Sequence, residues 1–99
     1  MKKTYLNIEG TEAEIVKMQF TFNGFLITDQ VGEADVVIVD EPSKISLYPG
    51  KTVAVLMFKP HDRPEGIPVF DVSTEGFGAI RQAMEWVCPL EEQMKKFRP

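Results

Sequence analysis

Two stretches of this chain, Ala34–Val39 and Thr52–Phe58, are apolar at almost every position and do not alternate with polar residues. A strand of that kind is buried on both faces, and it belongs in the middle of a parallel sheet with material packed above and below it. Ninety-nine residues are enough for one such core and not for two. No repeat, low-complexity tract or Ser/Gly linker interrupts them, so residues 1–99 are expected to form a single domain.

The remaining elements fall around those two runs. Thr4–Ile8 alternates, with Thr4, Leu6 and Ile8 on one side and Tyr5 and Asn7 on the other. Phe25–Thr28 and Ile67–Val72 complete a set of five strands, and Pro68 marks the last as an edge. Between the first two, Thr11-Glu12-Ala13-Glu14 matches a capping box. It opens a helix whose expected core stripe is Ile15, Met18 and Phe22, widened by Val16 and Phe20, with Gly24 as its stop. Ser73 is the expected cap of a second long helix carrying Phe77, Ile80, Met84 and Val87 on one face. Residues 88–99 read as a short amphipathic tail helix with Leu90, Met94 and Phe97 at i, i+4 and i+7.

Alternation of strand and helix predicts an α/β fold, a small, mostly parallel five-stranded sheet in the flavodoxin-like order 2-1-3-4-5. The links at 29–35 and 59–66 are shorter than the 10 to 12 residues, roughly, that a parallel crossover usually takes. One of them is therefore a candidate hairpin, which would make the sheet mixed.

In that strand order both long helices lie on one face. The other face, formed by Val37, Val39, Val53, Val55 and Met57 or by their alternates along the strands, is left to connectors that offer Val31, Ile45, Leu47 and Tyr48 as apolar cover. Exposing five such side chains would forgo about 1.5 to 3 kcal/mol each. This expected shortage of cover points to a homodimer or another protein partner, with Ile45, Leu47, Tyr48, Leu90, Met94 and Phe97 as candidate contacts.

Charge and composition narrow the partners. Fifteen acids against eleven bases give a net charge of −4, which does not draw the chain toward phosphate backbones or anionic lipid, so nucleic acid is not an expected partner. No stretch has the ~20 apolar residues of a membrane span. One cysteine, Cys88, and one histidine, His61, supply neither an internal disulfide nor a metal-ligand pattern. The expected location is the cytoplasm.

Ligands of open α/β sheets bind beyond the carboxyl ends of the strands. There the sequence places Glu9, Asp40, Glu41 and Lys59, and the three carboxylates are the chain's candidates for a Mg²⁺ or small-ligand site. No other cofactor is implied. His61, in a Pro-rich loop, has no nucleophile pattern near it, and neither GxGxxG nor GxxxxGK[ST] is present.

Glu9 closing the first strand, Asn23-Gly24-Phe25 after the first helix and Val36-Val37-Ile38-Val39-Asp40 closing the third strand together resemble a degenerate response-regulator receiver domain over about a third of the chain. The resemblance implies a phosphoryl-accepting role for Asp40, an acidic partner in Glu9 and a lysine-proline step in Lys59-Pro60. That step follows the fourth strand, where the family has it after the fifth, and Ile8 stands where a second acid would be. Ile8-Glu9-Gly10-Thr11 also resembles the start of a Toprim domain, which would imply metal-dependent nucleic-acid chemistry. Asp40-Glu41-Pro42 lacks that family's Asp-x-Asp pair. The sequence thus predicts a non-catalytic interaction or regulatory domain first, and a ligand or Mg²⁺ site at the sheet edge second.

Overall fold

A computed structural model describes residues 2–88. Five strands, β1 Lys3–Asn7, β2 Leu26–Ile27, β3 Val36–Val39, β4 Thr52–Met57 and β5 Val69–Asp71, form one sheet in the order β2-β1-β3-β4-β5. Every neighbouring pair is parallel, so neither short link is a hairpin. The link from β2 to β3 is a single 3₁₀ turn at Val31–Glu33, that from β3 to β4 a 3₁₀ segment at Pro42–Leu47, and that from β4 to β5 an irregular loop. A single turn of 3₁₀ helix is compact enough to make a crossover that a full helix could not.

Register places side chains of one parity on each face. Val36, Ile38, Ala54 and Leu56 face the layer built by α1, Thr11–Phe22, and α3, Gly78–Val87. Val37, Val39, Val53, Val55 and Met57 face the other layer. The expected shortage of cover there is overturned. Val37, Val39 and Val55 are 0 % exposed, Met57 1 % and Val53 5 % within the single chain. Tyr5 of β1 and Val69 of β5 extend this face, Ile45, Tyr48 and Ile67 from the connectors pack against it, and the Tyr5 and Tyr48 rings meet edge-on at 5.9 Å. Ile67, from the β4–β5 loop, adds connector cover beyond the four residues counted, and Tyr5 on β1 meets the Tyr48 ring. Ile45 and Tyr48 are thus part of this layer, while Leu47 points outward. The candidates Leu90, Met94 and Phe97, with the rest of the tail, lie outside the described residues.

Helix α1 differs from its expected form at the start and in its orientation. Its N-cap is Gly10, at φ 77°, and Thr11 is the first helical residue with no side-chain cap, so the capping box does not form. The C-terminus follows expectation. Gly24 adopts φ 81°, Gly24 N–H donates to Thr21 C=O and Phe25 N–H to Phe20 C=O, which is a Schellman motif. Its hydrophobic contact is the Phe20–Phe25 ring pair, 5.2 Å between centroids. That pair turns Phe20 and Val16 inward, and Ile15, Met18 and Phe22, the expected core stripe, face out.

The second predicted helix is two. Asp71 caps the short α2, Val72–Glu75, by accepting from Ser73 N–H at 3.0 Å, so Ser73 is capped and does not cap. Gly76, at φ 65°, breaks the chain before α3, and Phe77 is left exposed. From Gly78 on the pattern holds, with Ile80, Met84 and Val87 buried.

Thr4, fully buried on β1, has a hydroxyl with no hydrogen-bond partner among the described residues. A buried unpaired hydroxyl costs about 1 to 3 kcal/mol. Thr4→Val keeps the shape and removes the group, so urea unfolding is expected to show a stability gain of about 1 kcal/mol. A loss would mean that the hydroxyl is satisfied.

Candidate functional site

The carboxyl ends of β1 and β3 deliver acids to a common place because the two strands are paired in register, Asn7 beside Val39. Glu9, two residues on, and Asp40, the next residue, meet directly, with Glu9 N–H donating to Asp40 Oδ2 at 3.0 Å. An open cleft of about 360 Å³ lies there, bordered by Glu9, Glu12, Asp40, Glu41, Lys59 and His61. All four predicted ligand residues, Glu9, Asp40, Glu41 and Lys59, therefore share one cleft.

A residue that sequence reasoning passed over decides its chemistry. Lys44, in the 3₁₀ segment Pro42–Leu47, sends its ammonium inward to 2.7 Å from Asp40 Oδ1 and 3.4 Å from Glu9 Oε1. It also donates to Asn7 Oδ1 at 3.2 Å. Asn7 in turn donates from Nδ2 to the Tyr48 hydroxyl. Lys44 stands off the hydrogen-bond direction at Asp40 Oδ1, so this contact is above all an ion pair at close range. The signal was present as the i,i+4 spacing of Asp40 and Lys44, obscured because Pro42 starts a new segment between them.

Burial pushes the Asp40 carboxyl upward, but Lys44 and the Glu9 amide outweigh it and hold the pKa below the ordinary value. Burial likewise pushes Lys44 down, and Asp40 and then Glu9 outweigh it and hold it above the ordinary value. Both partners are therefore fixed in their charged forms near neutrality. The position between Glu9 and Asp40 that a divalent cation would take holds the Lys44 ammonium. Among the described residues no three His, Cys, Asp or Glu side chains are grouped to hold a metal ion. Both Asp40 oxygens are engaged, Oδ2 by the Glu9 amide and Oδ1 by Lys44, which leaves the carboxylate poorly placed to act as a nucleophile.

A second carboxylate, Asp71 at the end of β5, accepts from Ser73 and pairs with Arg63 at 3.4 Å. The Ser73 hydroxyl above all, with its amide and Arg63, holds the Asp71 pKa below the ordinary range. This cluster caps α2 and ties down the loop before β5. His61 is exposed at the cleft mouth. Cys88 is buried at the end of α3.

The other distinctive surface is on α1. Met18 is 58 % exposed, Phe22 82 % and Ile15 38 %. Glu14, Lys17 and Thr21 border a shallow groove against Met18 and Phe22. Helix α3, by contrast, buries its apolar side chains and shows Arg81, Gln82 and Glu85 to solvent.

Compared with protein-family models, curated proteins and solved structures, the chain matches none. The flavodoxin-like strand order is thus a likeness of architecture, and receiver membership does not follow from it. No helix among the described residues is long and apolar enough to cross a membrane.

Removing Lys44 would leave the largely buried Asp40 carboxylate without its counter-ion. Lys44→Met is expected to lower the unfolding free energy by about 2 kcal/mol in urea titration, and an unchanged midpoint would refute the role given to the pair. Because the folded pKa of Asp40 lies below the unfolded value of ~3.9, its stabilisation is complete above about pH 5 and is lost as acid carries the pH down through the folded value. The stability advantage of the wild type over Asp40→Asn should shrink across that acid range and stay constant from neutrality up to the alkaline titration of Lys44.

Proposed function

We propose that this chain is a non-catalytic protein-interaction domain that works through the outer face of α1. The reading is supported by one observation, the row of Ile15, Met18 and Phe22 standing exposed along one side of a single helix. Isolated exposed apolar residues such as Leu26, Leu47 and Phe77 are ordinary on any protein surface. A helix with apolar groups on both sides is different, since such helices are usually covered on both. Helix α1 puts Val16 and Phe20 into its own core and keeps three more large side chains for something else.

The surface differs from the one that composition pointed to. The sheet face under Ile45 and Tyr48 is closed by the chain itself, so support for a partner has moved to the helical layer. A ligand or phosphoryl-accepting site at Asp40 stands second, because Lys44 already meets the charge that a cation or a developing phosphoryl centre would have to engage.

Met18→Glu with Phe22→Glu tests the reading. Both positions are largely solvent-exposed, so the double variant should fold with stability within about 0.5 kcal/mol per site of the wild type. Complex formation by the wild type, with itself or with another protein, is expected to disappear in the variant when followed by light scattering and by pulldown side by side. A wild-type chain that forms no complex which the variant lacks would end this interpretation.

A further inference from the structure

We infer that the segment Pro42–Leu47, with Tyr48 at its end, opens and closes over the sheet as a unit of its own, and that the Lys44 ammonium is its catch. The closed form hides the valine-rich face and the open form bares it. This layer lies opposite α1 and is independent of the surface proposed above for a partner.

The two layers are built unequally. One face of the sheet is covered by α1 and α3, of 12 and 10 residues. Between β3 and β4 the other receives 6 residues of 3₁₀ helix, whose hydrogen bonds are poorer than those of an α-helix. Ser43, Ser46 and Leu47 are exposed, and Ile45 and Tyr48 supply the apolar contacts with Val37, Val39, Val55 and their neighbours. The backbone bonds that shape the segment are Lys44 N–H to Glu41 C=O, Tyr48 N–H to Ile45 C=O and Lys51 N–H to Tyr48 C=O, and all three close within residues 41–51. The pairing of Val36–Val39 with Thr52–Val55 lies outside the segment, so the strands can stay joined while it lifts. Pro49 and Gly50, the latter at φ 78°, turn the chain at one end. A stretch with few buried apolar groups and with local backbone bonds opens at a lower free energy than the whole fold.

What holds the closed form is polar and is concentrated on one side chain. Lys44 Nζ meets Asp40, Glu9 and Asn7, and Asn7 carries the connection to the Tyr48 hydroxyl. Removing one charge of the Asp40–Lys44 pair strands the other in a largely buried place. Opening of the segment lets the stranded group reach water, so the loss of either charge shifts the balance toward the open form.

Hydrogen exchange of the full chain in low urea is the test. In the wild type the Lys44, Tyr48 and Lys51 amides are expected to exchange through openings that urea hardly accelerates, and the amides that join β3 to β4 through urea-dependent unfolding. Ile80→Val, in the opposite layer, should speed the second group and leave the first unchanged. Lys44→Met should raise segment opening about thirtyfold and Asp40→Asn about tenfold. The double variant, K44M with D40N, strands no charge and should exceed Lys44→Met by no more than about threefold. In a separate chain carrying Val39→Cys, the new thiol should be modified by a small reagent at the rate of segment opening. Segment amides that follow the strands in their response to urea and to Ile80→Val overturn the inference. So does a double variant whose effect is the product of the two single ones, or a thiol at position 39 modified only on global unfolding.

Discussion

The ammonium of Lys44 is the point from which this small fold is tied together. It sits at the carboxyl edge of the sheet between Asp40 and Glu9, holding the ends of β3 and β1 at fixed spacing. Through Asn7 it connects to Tyr48, whose ring lies on Tyr5 over the valine-rich second face. One buried charge thus anchors Ile45 and Tyr48, the cover that the β3–β4 connector lays on this face. An apolar substitute at position 44 could fill the space but not orient Ile45 and Tyr48. Buried ion pairs contribute little net stability and are often more important for fixing one arrangement over another, and that is the use made of this one.

That arrangement explains why the acidic cleft has the look of a ligand site. Strand ends in open parallel sheets converge, and acids there repel one another unless something positive lies between them. A metal ion is one answer and a lysine from the neighbouring connector is another. In this fold the Lys44 ammonium lies between Glu9 and Asp40 and joins the ends of β1 and β3.

Strand order, the buried status of Val36–Val39 and Val53–Met57, and the C-terminal stop of α1 at Gly24 were legible in the sequence because each depends on local pattern: unbroken apolar runs and a glycine at a left-handed position. The four candidate residues at the sheet edge border one cleft, a proximity that follows from the parallel order of the strands. What could not be read was any choice between equals. Helix α1 has two apolar stripes, and only the tertiary contact of Phe20 with Phe25 selects which turns inward. Sheet cover was misjudged because Ile67 was assigned to a strand and not counted as cover, and because Tyr5, on β1, packs against the Tyr48 ring. Lys44 was missed since a lysine beside Pro42 and Ser43 looks like any solvated turn until its side chain is seen to point in.

The ends of the sheet carry a consequence of their own. On one rim β2 offers just Leu26 and Ile27 to pairing, and on the other β5 runs for three residues behind Pro68. Neither rim presents enough free backbone to template an added strand, which is how natural sheets guard against open-ended stacking into fibres. Any assembly of this molecule is consequently steered away from its hydrogen-bonded backbone and toward side-chain contacts that close on themselves at a small, finite number.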